Sequence, residues 1–480
     1  MTMPRTTNSA PPSRQRGAAL LLIMLVALVA MTAILVTRAN TGTMRLAQQS
    51  GTRMALAEAR QALLDFAAVH PDMNPGDSAR LPCPDLDASG PYAEGEAHTD
   101  DCGVAGASVL GRLPWRTLGV EAIRDAHSAC LWYAVSGSWK HAGAASADLI
   151  NSDSNGLFQV LDIESGLIVA GDEPVDRPVA IVFAANEPLS GQRRSSAATD
   201  HQCSNSFSAA DFLDADSLSG VSNASVSGAG DTIDIFAITS TNTDDHNDRI
   251  AIITRSDLEK QETSRHDRDA RMRALGLAAT RCVADYARKN PGGSDDRRLP
   301  WPAPVDLADY RLDASYDDVD SGTLSGRLPN SVDTSSAVTG NTVAASLGNC
   351  DQAAVPEWTA EMLRQWQNWK DHFFYVVADS HVPAAPVPSA CSGCFTVNGS
   401  GQYIAVVLFG NSRLEALGQS RNAPPVDTDE RRDHQNYLED SNAAIFPYTG
   451  GSADFRSQAS SSTFNDLLFC IDAGLNVSEC

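Results

Sequence analysis

DFAAVHP at residues 65–71 and RLPCP at residues 80–84 return, in the same order, as DYARKNP at residues 285–291 and RLPWP at residues 298–302. That recurrence decides the fold. GRLP follows in both copies, at Gly111 and at Gly326, and then LWYAVS from Leu131 answers FFYVVA from Phe373. VAIVFAANEPLSGQ from Val179 matches IAVVLFGNSRLEALGQ from Ile404. Phe212-Leu213-Asp214 matches Tyr437-Leu438-Glu439, and Asn247-Asp248 matches Asn465-Asp466. These seven matches keep one order, with offsets from 215 (Gly111 to Gly326) to 242 (Leu131 to Phe373). Such a series reads as an internal duplication of a head module. Each copy runs from a helix through a Pro/Gly-rich stretch into short β-branched and aromatic strands. The predicted fold is therefore α+β with antiparallel sheets, not a doubly wound parallel sheet. Head 1 is expected over residues 71–256 and head 2 over residues 257–480. The junction falls near residues 250–273, where the charged run SRHDRDARMR reads as a solvated helix face.

Upstream of the first copy, MALAEARQALLDFAAV at residues 54–69 places Leu56, Leu63, Phe66 and Ala67 near one stripe, with Glu58, Arg60 and Asp65 elsewhere. This is an amphipathic helix, which Pro71 is expected to stop. Gly42 and Gly51 make the stretch before it a poor helix on propensity. Further back, RQRGAALLLIMLVALVAMTAILV at residues 14–36 sets a basic stub and one glycine ahead of nineteen uncharged residues, 18–36. At 1.5 Å per helical residue that run is about 29 Å long, close to the hydrocarbon thickness of a bilayer, so a single transmembrane span is predicted at 18–36. The N-terminal helix as a whole is expected over residues 18–70.

Charge is unevenly placed. Of 36 Lys and Arg, six Arg fall in residues 1–57, which contain no acid, leaving 30 basic against 60 acidic side chains in the body, or −30. Such a surface repels nucleic acid and anionic lipid, so a nucleic-acid partner is excluded. The ten cysteines split four (Cys83, Cys102, Cys130, Cys203) and six (Cys282, Cys350, Cys391, Cys394, Cys470, Cys480) between the two halves. An even count points to an oxidising compartment, with scattered buried thiols as the other reading. Three Arg on each side of the span cancel as a topology signal, so the cysteines orient the chain. The short N-terminus is expected in the cytoplasm and the body in a periplasm.

RQRGAALLLIMLVALVAM resembles the N-terminus of type IV prepilins and type II secretion pseudopilins, in which a short basic leader ending in Gly precedes a hydrophobic helix that is both anchor and assembly core. The blocks LPCPD, GRLPW and WYAVS are similar to those of pilin-like proteins with large heads. The resemblance implies a leader over residues 1–17, cleavage by a prepilin peptidase between Gly17 and Ala18, and methylation of Ala18. It also implies other pilins or pseudopilins as partners through the N-terminal helix, and a single-pass protein of the bacterial inner membrane. The chain departs from the family at the fifth mature position, where Leu22 stands in place of the usual Glu. In the family that carboxylate is thought to neutralise the terminal amine of a neighbouring subunit within an apolar bundle, where an unpaired charge is costly. A subunit lacking it fits the first position of a fibre, and a head this large would clash with its copies along a shaft. The expected function is a minor, tip or priming subunit of a type IV pilus or type II secretion pseudopilus, with a non-catalytic role. The alternative is a signal-anchored periplasmic adhesin or binding protein. An ordinary secretory signal cut near Ala30 to Ala33 is a further reading of the N-terminus.

DLDASGPYAEGE at residues 85–96 sets Asp85, Asp87 and Ser89 at loop positions 1, 3 and 5, the Pro91 carbonyl at 7 and Glu96 at 12. That spacing suits calcium, which takes six to eight oxygens; a solvated acidic turn is the other reading. Cys83 and Cys102 bracket the loop, and Cys470 and Cys480 would close a C-terminal loop; both pairs are expected as disulfides. Cys391-Ser392-Gly393-Cys394 reads as a structural disulfide or a reduced pair, since no second CxxC accompanies it. No HExxH, GxSxG or phosphate-loop pattern is present, so no enzyme is expected. His98 near Asp100 and Asp101, and His127 near Asp125, read as surface polar clusters. Trp132, Tyr133, Phe373, Phe374 and Tyr375 read as core, and Trp358, Trp366 and Trp369 as one face of a helix covering its own sheet or a neighbouring subunit.

Overall fold

The computed structural model describes residues 16–74, 77–87, 91–99, 102–104, 106–141, 149–194, 202–203, 206–265, 268–289, 298–332, 345–346, 350–383, 394–422 and 429–480, with the backbone alone for residues 16–21, 32–43, 261–265, 345–346 and 429. The chain divides into two compact units, Met1–Met54 and Ala55–Cys480. One helix, Arg16–Met73, contributes to both. Gly42 and Gly51, expected to weaken it, lie inside it without a break. Each costs only about 1 kcal/mol relative to Ala, little for a helix of this length with one packed end. Pro71 does not stop the helix either but sits in its last turn, where its fixed φ suits the helix and one hydrogen bond is forgone. In the first unit Leu22, Ile23, Met24, Leu25, Leu28 and Met31 are each 64–68% exposed. Among the described residues no helix is long and apolar enough to cross a membrane; both ends of the 18–36 run are described by their backbone alone.

The second unit is mixed α/β with several antiparallel sheets. A four-stranded sheet runs in the order Val109–Arg112, Trp132–Val135, Pro178–Ala184, Arg249–Thr254, with every pairing antiparallel. A larger sheet has at its heart Ser325–Arg327, Phe373–Val377, Ser400–Phe409 and Leu467–Asp472, again antiparallel throughout. The antiparallel expectation fails in accessory pairings: Phe158–Asp162 with Asp234–Ile238, Leu81–Pro82 with Lys140–His141, and Phe395–Val397 with Asp454–Phe455 are parallel. Partners in these pairs are far apart in sequence, so no hairpin imposes direction on them.

Side chains alternate across each central sheet, as a pleat requires. Tyr133 and Val135 face one core with Ala59, Leu63 and Ala67 of the long helix, while Trp132 and Ala134 face a second core with Phe158, Phe183 and Phe236. In the larger sheet Phe373, Tyr375 and Val377 pack under Leu275, Ala279 and Val283 of the helix Arg268–Lys289, and Phe374 and Val376 face Tyr437 and Phe446. The first helix-covered core takes in Ala55 at one end and Leu258 at the other, so it begins before residue 71 and extends past residue 256. The helix Ala360–Trp369, capped by the Thr359 hydroxyl, turns Trp366 and Trp369 into its own core, and Trp358 just ahead of it packs there too.

Matched blocks make matched contacts. Gly111 pairs with Tyr133 and Gly326 with Tyr375. The Tyr133 hydroxyl donates to the Pro82 carbonyl (3.1 Å), and the Tyr375 hydroxyl donates to the Pro300 carbonyl (3.3 Å). Arg112 and Asp85 exchange backbone hydrogen bonds, as do Arg327 and Ala303. The Arg112 guanidinium lies over Trp132 and Phe212, and that of Arg327 over Phe374 and Tyr437.

Candidate functional site

Among the described residues of the second unit, buried polar side chains gather in several places. The first is a pair of carboxyls that occurs twice. Asp214 and Asp248 exchange hydrogen bonds, each backbone N–H donating to the carboxylate of the other at 2.9 Å. Asn223 Nδ2 also donates to Asp248 (3.0 Å), and Gln192 Nε2 to Asp214 (2.8 Å). In the other half the backbone N–H groups of Glu439 and Asp466 make the same exchange at 3.1 Å, with Asn442 donating to Asp466 and Gln419 to Glu439 at 2.9 Å. Burial, and then the neighbouring acid, push Asp248 and Asp466 well above the usual carboxylate range. In each pair two like charges lie close together, which disfavours ionisation of both.

The second place joins the halves. Residues near Asp153 reach into a ring of basic side chains from the C-terminal half. Asp153 Oδ2 lies 3.2 Å from Arg421 Nη1 and 3.0 Å from His372 Nε2, and its Oδ1 lies 3.3 Å from Arg413 Nε. Arg431 donates to the Asp153 carbonyl (2.9 Å) and to Asp371 (2.8 Å), and Asn151 Nδ2 donates to Asp371 (3.1 Å). The side chains of Asp153, His372, Asp371 and Arg421 have no exposed surface. Burial alone would raise the Asp153 carboxyl, yet Arg421, His372 and Arg413 hold it well below its ordinary value. His372 Nδ1 faces the Gly410 carbonyl at 2.6 Å, so neither ring nitrogen is open to a nucleophile. A cleft of about 240 Å³ lies alongside, walled by Trp139, Ile150, Trp369, Glu259 and Arg268.

The third place is the acidic loop. Its carboxylates do not converge. Asp85 is turned inward, accepting from the Gly95 N–H at 2.7 Å, and burial pushes it up to about 7 despite that bond and the nearby Arg112. Glu96 accepts from the Ala93 N–H (2.9 Å), and the Asp87 carbonyl faces His98 Nε2 (3.0 Å). Ser89 lies outside the described residues, and Pro91 is exposed. Of the acids in the calcium spacing, Asp85 and Glu96 are engaged by the loop's own amides. The cation nearby is the chain's own: Lys140, with no exposed surface, donates to the carbonyls of Cys102 (2.7 Å), Val104 (2.7 Å) and Ala107 (2.8 Å). His98 is buried and stacked on Tyr92, contrary to its surface reading, whereas His127 is exposed.

Disulfides join Cys83 to Cys102 and Cys470 to Cys480, as expected, and also Cys130 to Cys203 and Cys282 to Cys350, at Cα separations of 5.7–6.0 Å. Cys394 is disulfide-bonded too; Cys391 lies outside the described residues. Gly17 and Ala18 lie in the first turns of the long helix. Residues without a motif escaped the sequence reading: Asp153, His372, Arg421 and Lys140, and the group His70, Asp77 and His141. The last is the one set among the described residues whose possible metal-ligand atoms come together. Comparison with protein-family models, with curated proteins and with solved structures finds no match to this chain.

Proposed function

We propose that the chain is a non-catalytic, pilin-like assembly subunit, a minor tip or priming component of a type IV pilus or type II secretion pseudopilus. One observation carries the reading. A single helix, Arg16–Met73, has large apolar side chains exposed between Leu22 and Met31, while Ala59, Leu63 and Ala67 further along it have no exposed surface. Exposed apolar area on this scale calls for a cover of lipid or of like helices. The resemblance of residues 14–31 to a prepilin N-terminus supplies both in turn: membrane before assembly, helical bundle after it. Cleavage after Gly17 and methylation of Ala18 belong to the same reading, as does a body in the periplasm, which four disulfides support.

The paired carboxyl sites, the paired Tyr-to-Pro hydrogen bonds and the paired Arg–aromatic stacks support descent of the two halves from one duplicated module. A bulky double head and Leu22 at the fifth mature position both favour a terminal place in the fibre over a repeating one. Immunogold labelling of the head tests this. Label at one end of a fibre is expected, and label along its length contradicts the reading.

A further inference from the structure

We propose that His70, Asp77 and His141 form a site for a first-row transition metal ion, with Zn2+ as the reference ion. The ligand atoms of these three side chains all lie within 4.8 Å of one another. His70 Nε2 and His141 Nδ1 are 3.0 Å apart. Two nitrogens bound to one tetrahedral Zn2+ at about 2.0–2.1 Å would lie roughly 3.3 Å apart, so a small rotation of one ring admits the ion. His70 sits one turn before the end of the long helix, Asp77 follows in the loop, and His141 ends the strand Lys140–His141. The ion would bind helix, loop and strand together.

What distinguishes this group from a chance cluster is that its outer partners are already in place. His70 Nδ1 lies 3.1 Å from the Ser78 carbonyl, to which it donates its proton, leaving Nε2 with its lone pair facing the site. Asp77 accepts from the Ser78 N–H at 3.0 Å and from Arg80 Nε at 3.0 Å to each oxygen. Arg80 is itself held by the Ser138 carbonyl at 2.8 Å. Metal-ligating imidazoles and carboxylates are oriented by such second contacts. A carboxylate has about four lone-pair positions, so Asp77 keeps capacity for the ion beside its guanidinium partner. Two imidazoles and one carboxylate suit Zn2+, Co2+, Ni2+ or Cu2+, whereas Ca2+ and Mg2+ prefer all-oxygen sets. Three protein ligands leave a fourth position for water. His70 is buried, but Asp77 and His141 are half-buried, which gives the ion a way in.

The test uses the full chain in detergent, stripped with chelator and then dialysed against Zn2+ or Co2+. Retention of one Zn2+ per chain is expected, together with the visible absorption of tetrahedral Co2+ and a rise in unfolding temperature with Zn2+. In His141→Ala and Asp77→Asn the affinity is expected to fall by at least about tenfold and the Zn2+-dependent rise to vanish. Folding of the variants is checked by their unchanged unfolding temperature in chelator. No retained Zn2+ in the unaltered chain overturns the proposal, as does equal retention in His141→Ala or a Co2+ spectrum without tetrahedral bands.

Discussion

Asp214 and Asp248 bind one another through their own backbones, each amide donating to the other carboxylate at 2.9 Å, and Glu439 and Asp466 repeat the arrangement at 3.1 Å. Two acids held this close favour a proton on one of them. In the unfolded chain both members of a pair ionise near pH 4; in the folded chain Asp248 and Asp466 hold their protons to much higher pH.

Through these two groups the folded state binds more protons than the unfolded state above about pH 4, and their contribution to stability falls as pH rises from there toward the raised folded-state values. Asp248→Asn and Asp466→Asn replace the protonated acid by an amide that donates without titrating. The double variant is expected to flatten the decline between about pH 5 and pH 8, read as the urea midpoint against pH. An unaltered slope would refute the shared proton.

Asp153 lies against Arg413, Arg421 and His372 where the two halves meet. Asp153→Ala takes a buried carboxylate away from the Arg421 and Arg413 guanidiniums. A loss of about 3–5 kcal/mol in unfolding free energy is expected, with faster proteolytic separation of the halves. A loss below about 1 kcal/mol, typical of exposed pairs, would mean that the ring does not hold the halves together.

Gly111 and Gly326 occupy matched places where a side chain has no room. A Cβ at Gly111 would lie 2.7 Å from the Asp85 carbonyl oxygen, and one at Gly326 would run into the Ala303 carbonyl. Gly111→Ala and Gly326→Ala are each expected to cost about 1–3 kcal/mol through forced backbone movement. Chemical denaturation of both variants checks this, and a neutral effect at either position would break the structural match.

Much of the arrangement is legible in the sequence because its recurring blocks sit at contacts that tolerate little change. GRLP carries the glycine that must pass a carbonyl and the arginine that stacks on aromatics, and Asn-Asp carries the acid that keeps a proton. The alternation in LWYAVS and FFYVVA likewise states which face meets the helix. Other features leave no local trace. Asp153 stands in an ordinary turn sequence, SDSNG, and owes its burial to arginines from the far half of the chain. His70 and His141 are 71 residues apart, so only the fold brings them together. The calcium spacing has a related limit: a periodic set of acids fixes where side chains occur along a loop, but not whether they point at one ion or at the loop's own amides.

The mass of the mature chain, from cells with and without prepilin peptidase, tests most directly whether the N-terminal helix is processed for entry into a fibre. A chain beginning at N-methylated Ala18 in the first case and at Met1 in the second is predicted. A chain of identical mass in both, with Gly17→Val leaving localisation and fibre number unchanged, would contradict it.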